Sequence, residues 1–150
     1  MVGGENVDQD KTVHRILFSP DGTLALIVGI YPSYVWDFTR QRLLAKVEEY
    51  VTGAEKAVLL PDKSAFVTGG YDPPYLKVWA VSDGRLLATI PTQGEVASIG
   101  VTKDGKWVAT GTENSVAEVW DLGWLPFVPD AKALRRHACE VGLASVILLR

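Results

Sequence analysis

The sequence predicts an all-β protein built from about three antiparallel, four-stranded units, on two observations. Short apolar runs separated by turn residues fill most of the chain, and three sequence markers recur at one common spacing. Phe18-Ser19-Pro20-Asp21-Gly22 returns as Leu59-Leu60-Pro61-Asp62-Lys63 and again as Val101-Thr102-Lys103-Asp104-Gly105. From Asp21 to Asp62 is 41 positions, and from Asp62 to Asp104 is 42. Val35-Trp36-Asp37 returns as Val78-Trp79-Ala80 and Val119-Trp120-Asp121, with the tryptophans 43 and 41 apart. Arg42-Leu43-Leu44-Ala45 returns 43 positions later as Arg85-Leu86-Leu87-Ala88.

The apolar runs place the strands. Val13–Phe18, Thr23–Gly29, Tyr34–Phe38 and Arg42–Val47 make the first unit (13–48). Ala54–Leu60, Ser64–Gly70, Tyr75–Val81 and Arg85–Ile90 make the second (54–90). Glu95–Val101, Lys106–Thr112 and Val116–Leu122 make the third (95–122). Few of these runs alternate cleanly, and near-continuous apolarity predicts strands covered on both faces, as in stacked sheets. A polar segment, 1–12, precedes the units. Ser19-Pro20-Asp21-Gly22 has proline where φ near −65° starts a turn and glycine where positive φ follows; Lys103-Asp104-Gly105 and Ser82-Asp83-Gly84 repeat the device. The acidic residues in these turns are structural.

A period of ~40–45 residues, four strands per unit and a Trp-Asp ending resemble the WD-repeat β-propeller family. The resemblance runs from about Lys11 to Leu122, and Gly29, Gly69 and Gly111 stand where the family has a glycine before its inner turn. It implies an antiparallel blade per repeat and a scaffold that binds protein or peptide partners. The family's Gly-His before the first strand is missing; its histidine position falls near Gln9, Tyr50 and Thr92. The family's buried network therefore survives only in part, as Thr68, Asp72 and Trp79 in the second repeat and Thr110 with Trp120 in the third. Trp36, Asp37 and Asp121 complete the implied structural positions. Closed propellers use ~4–8 blades, and three leave two end faces open. A longer propeller protein, two copies closing a six-bladed ring as a homo-oligomer, or a capping tail would each cover them.

The repeat breaks down in the tail, 123–150. Asp130 suits a helix N-cap, predicting a helix over 130–141 with Leu134, Ala138 and Val141 on one face. This stretch also resembles the helix that follows the last blade of large bacterial WD-repeat proteins, many of which carry an upstream NTPase or kinase domain. That likeness implies the C-terminal sensor segment of a signalling protein, although no Gly-Lys-Ser phosphate loop occurs here. Ser145–Leu149 fits either helix or strand.

Composition narrows the function. A net charge of −3 with scattered cations is a poor footprint for nucleic acid, which calls for a basic stripe. No apolar run approaches the ~18 residues of a membrane-spanning helix, and no secretory signal is visible, so the cytoplasm is expected. Cys139 is the one cysteine. His14 has Ile16 and Phe18 at period-two spacing and is expected to pack at a blade interface, while His137 and Cys139 point apart on a helix and cannot share a metal. No metal, cofactor or catalytic group is expected, and the chain reads as a non-enzyme; the alternative is a fragment of a propeller enzyme whose other blades supply the chemistry. The candidate binding residues lie in turns between second and third strands: Tyr31 and Tyr34, Tyr71, Asp72 and Tyr75, then Glu113 and Asn114. With linkers Glu48-Glu49-Tyr50 and Thr92-Gln93-Gly94-Glu95 they would form one tyrosine-rich, mildly acidic rim suited to a protein or peptide.

Overall fold

A computed structural model describes residues 12–49, 56–71, 73–123 and 147–148. The strands form three antiparallel sheets in which neighbours in sequence are neighbours in space. The first contains β1 (Val13–Phe18), β2 (Leu24–Gly29), β3 (Ser33–Asp37) and β4 (Arg42–Val47). β5 (Ala57–Leu59), β6 (Ala65–Tyr71), β7 (Pro74–Ala80) and β8 (Leu86–Pro91) form the second. β9 (Val96–Val101), β10 (Trp107–Thr112), β11 (Val116–Asp121) and β12 (Ile147–Leu148) form the third. The expected helix over 130–141 lies outside the described residues.

Each first hairpin closes on the repeated turn. The N–H groups of Gly22, Lys63 and Gly105 donate back to the carbonyls of Ser19, Leu60 and Thr102 at 2.9, 3.0 and 2.9 Å. All three turn residues have positive φ, at 69°, 63° and 72°, so Lys63 holds a conformation that glycine fills in the other repeats. The preceding aspartates lock the turns by accepting backbone N–H groups two residues on: Asp21 from Thr23, Asp62 from Ser64 and Asp104 from Lys106.

The outer strands share a second device. β3 pairs Val35 with Ala45 and Trp36 with Leu43, leaving Leu44 as a bulge; β7 pairs Val78 with Ala88 and Trp79 with Leu86, leaving Leu87. The Arg-Leu-Leu-Ala marker is therefore a bulged strand laid along the Val-Trp-Asp or Val-Trp-Ala edge. The third sheet departs from this pattern. Its outer strand comes from Ile147–Leu148 and pairs only with Val116 and Ala117.

The sheets stack face to face as blades. Leu24, Leu26, Val28, Val35, Ala45 and Val47 of the first blade meet Ala57, Leu59, Phe66, Trp79 and Val81 of the second. Ala65, Val67, Leu76, Val78 and Ala88 then meet Val96, Val108, Trp120 and Leu122 of the third. Burying one such Leu, Val or Phe side chain fully stabilises the fold by about 1.5–3 kcal/mol. β1 adjoins β5 and β5 adjoins β9, so the first strands lie innermost and the blades fan outward.

In this stack the tryptophan face of each blade packs against the preceding blade. Trp79 and Trp120 are buried that way, whereas Trp36 faces the uncovered side of the first blade and is only half-buried. Both faces of the middle blade are covered, as continuous apolarity predicts, but the end blades expose one face each. His14 is exposed on β1, not packed between blades, because it belongs to the first blade's innermost strand, beside which no described blade precedes.

Candidate interaction surface

The turns and linkers singled out from the sequence gather along one edge of the stack. Glu113 N–H donates to the Glu95 carbonyl at 3.0 Å, and Asn114 Nδ2 donates to the Gln93 carbonyl at 3.3 Å, tying the third blade's turn to the linker before it. Tyr75, at the start of β7, donates its hydroxyl to Glu49 Oε1 at 3.1 Å, tying the second blade to the linker after the first. Tyr31 and Tyr34 are half-buried, and Glu113 and Asn114 are exposed. Tyr71 ends β6, while Asp72 and Tyr50 lie outside the described residues.

Tyr75 is held by its neighbours. Its ring lies over Gly70, its cross-strand partner, where a Cβ would stand 2.3 Å from Tyr75 Cζ. Lys77 Nζ sits 4.6 Å from the Tyr75 ring centroid and 5.8 Å from that of Trp79, and it pairs with Glu49. Burial, with the adjacent Glu49 carboxylate, pushes the Tyr75 phenol up to about 12. Glu49, Tyr75 and Lys77 thus form one fixed polar cluster.

A second cluster lies between the second and third blades. Glu118 is 4% exposed and accepts the Gln93 N–H at 3.2 and 3.3 Å, and burial raises its pKa. Lys56, also buried, pairs with Glu95 at 3.0 Å, so the two linkers are bonded directly to each other. Sequence reasoning did not single out Lys77, Lys56 or Glu118. For Lys77 and Glu118 the available signal was a charged residue interrupting an apolar strand two residues before the repeat tryptophan, where the first repeat has Tyr34.

Within the blades, Trp79 Nε1 donates to Thr68 Oγ1 at 2.9 Å and Trp120 Nε1 to Thr110 Oγ1 at 3.3 Å. The register puts Ile27 at the matching place in the first blade, so Trp36 has no threonine there. Thr92, at one of the missing histidine positions, is buried and bonds the Gly94 carbonyl at 2.9 Å. Asp37 is buried and accepts Arg40 N–H and its guanidinium at 3.0 and 2.8 Å, which lowers its pKa. Asp121 instead caps the Gly123 N–H at 2.7 Å.

The chain is similar to a WD-repeat protein. It is 33% identical over 110 residues to Protein groucho of Drosophila melanogaster. That stretch is 73% of this chain and 14% of the length of groucho, so the chain spans only a small part of this much longer relative. No family model matches the chain. The similarity supports a WD-repeat assignment, and the three antiparallel sheets are consistent with propeller blades.

On the opposite edge an open groove of about 530 Å³ is lined by Thr23, Asp37, Arg40, Asp62, Lys63 and Ser64. Its two cations are already paired, Arg40 with Asp37 and Lys63 with Asp21. Among the described residues, no three His, Cys, Asp or Glu side chains come together as a metal site.

Proposed function

We propose that this chain is a WD-repeat interaction module whose tyrosine-rich rim binds a protein or peptide, and that it works without catalysis. The observation carrying this reading is the cluster in which Glu49 and Lys77 fix Tyr75 at the rim. A tyrosine already immobilised loses little conformational freedom on binding, and its ring offers amphipathic contact area. Glu113 and Asn114 add exposed polar groups on the same edge, with the turn backbone pinned to the linker. The similarity to groucho supports the module class, and the partner is proposed from the rim chemistry alone.

The test replaces Tyr71 and Tyr75 by serine and compares capture of interacting polypeptides with the unaltered chain and with a Tyr75→Phe variant. Loss of capture in the serine variant, with a preserved cooperative urea transition, supports the reading. Unchanged capture refutes it.

A second arrangement, self-association, is favoured by the uncovered side of the first blade. Ile16, Phe18, Phe38 and Leu43 are 51%, 62%, 47% and 46% exposed there, and Phe18 stacks on Phe38 with centroids 6.1 Å apart. A second copy, or a further blade, would bury this apolar face.

A further inference from the structure

Asp-Gly occurs three times in the chain, as Asp21-Gly22, Asp83-Gly84 and Asp104-Gly105. Each pair stands in a hairpin turn, and each glycine has positive φ, at 69°, 76° and 72°. A glycine has no side chain to shield its amide nitrogen, which can therefore attack the side-chain carbonyl carbon of a preceding aspartic acid. The nucleophile does not tell the three sites apart. Gly22, Gly84 and Gly105 each donate their N–H to a turn carbonyl, of Ser19, Ala80 and Thr102, at 2.9 Å.

The carboxyl groups do differ. Asp21 accepts the hydroxyls of Ser19 and Thr23 at 2.7 and 2.8 Å, the Thr23 N–H at 3.1 Å, and the Lys63 ammonium on its other oxygen. Lys63, with these donors, holds the Asp21 carboxyl well below the usual carboxylate range. Asp104 accepts the Thr102 hydroxyl at 2.6 Å and the Lys106 N–H at 3.1 Å, which also lower its pKa. Asp83 accepts only the Arg85 N–H, at 3.1 Å, among the described residues, and its ion pair with Arg85 Nε is long at 3.9 Å. Attack needs the neutral carboxyl, so bonds that favour the carboxylate protect Asp21 and Asp104, and Asp83 has the fewest of them.

We infer that Asp83-Gly84 is a site of spontaneous modification, where Asp83 converts to isoaspartate in the folded chain. The Gly84 nitrogen bonds to Asp83 Cγ, and the nitrogen's proton leaves with the carboxyl hydroxyl as water, closing a succinimide. A water molecule then opens the ring. Opening at the main-chain carbonyl leaves the peptide running through the former side chain, with a methylene added to the backbone. That methylene enters a tight place. The turn is closed by Gly84 N–H to the Ala80 carbonyl and Ala80 N–H to the Arg85 carbonyl, both at 2.9 Å. Gly84 also lies against the outer strand of the first blade, where a Cβ would stand 3.2 Å from Ala45 Cβ, the Lys46 carbonyl oxygen and Val47 Cγ2. The product therefore loosens the contact between the first two blades. The site is separate from the tyrosine-rich surface, and its success or failure leaves that reading untouched.

The experiment ages the full 150-residue chain in neutral buffer, folded and in parallel unfolded in guanidinium, and maps isoaspartate by proteolysis and electron-transfer fragmentation. In the fold Asp83 is expected to isomerise about tenfold or more faster than Asp21 or Asp104, the factor that one further hydrogen bond to a charged group carries. In guanidinium the three sites should react at similar rates. Lys63→Gly suits the positive φ there and removes the cation from Asp21, so Asp21 should speed up in the fold. Asp83→Glu, whose longer side chain closes the ring far more slowly, should abolish the product at this position and the fall in urea midpoint that accompanies ageing. Equal rates at the three sites in the fold, faster reaction at Asp21 or Asp104, or the same ratio in guanidinium as in the fold would overturn the inference. The rates in the unaltered chain decide the matter even if a variant does not fold.

Discussion

Trp79 donates its indole N–H to Thr68 at 2.9 Å inside the contact between the first two blades, where the two residues are 7% and 2% exposed. Buried donors left without an acceptor cost about 1–3 kcal/mol. Thr68→Val keeps the shape and removes the acceptor, so urea unfolding should show a loss in that range. Thr110→Val, which removes the longer bond to Trp120, should cost less. Equal stability of all three proteins would mean that the hydroxyls do not serve the tryptophans.

Tyr75 supplies a pH signature. Its phenol is raised to about 12, chiefly by burial, above the ordinary value of 10.0. The folded chain therefore keeps a proton that the unfolded chain loses, and the stability tied to Tyr75 falls as pH rises from 10 towards 12. Phenolate absorbance should show one tyrosine titrating late, missing in Tyr75→Phe. Gly70→Ala should shift that titration back towards the ordinary value, because the new Cβ displaces the ring.

Glu118 gives the opposite end of the pH scale. Burial raises its pKa above 4.5, so the charged form is disfavoured in the fold, and the stability it contributes is present at low pH and lost as pH rises through the raised value. Glu118→Gln, which still accepts from Gln93, should raise the urea midpoint at pH 7 and leave it nearly unchanged at pH 4. A lower midpoint at pH 7 would show that the charge is compensated.

The apolar face around Phe18 and Phe38 should govern self-association. Phe18→Asp with Phe38→Asp is expected to shift the sedimentation of concentrated samples towards the monomer without lowering stability, since both side chains are exposed. An unchanged distribution would remove this face from any assembly.

The blades were legible because each marker has a local physical cause. Asp21, Asp62 and Asp104 lock turns, the repeat tryptophans mark the third strand, and Arg42 and Arg85 open bulged outer strands. Boundaries shifted where pairing overrode composition: Gly70 reads as a strand end, yet the Tyr75 ring covers it and the ladder runs on to Tyr71 and Pro74. The outer strand of the third blade was legible only as one of two readings, since Ser145–Leu149 fits either helix or strand, and its place in the sheet was not legible. Ile147 and Leu148 lie 26 positions and more beyond Asp121, in a segment without the repeat pattern, and only long-range pairing places them on β11. The rim tyrosines were visible as residue types in turns, but Lys56, Lys77 and Glu118 were not, since their charges act across linkers distant in sequence. His14 was misplaced because period-two spacing reports a face and not whether a neighbour covers it.

The most direct test of the rim as the binding surface is a photo-crosslinking scan. A benzoyl-phenylalanine probe is placed singly at Tyr34, Tyr71 and Asn114 on the tyrosine edge, and at Asp62 and Lys103 in turns on the opposite edge. Cross-links to one partner polypeptide from the first three positions and none from the last two are predicted. Equal yields from both edges, or cross-links confined to Asp62 and Lys103, would contradict the account.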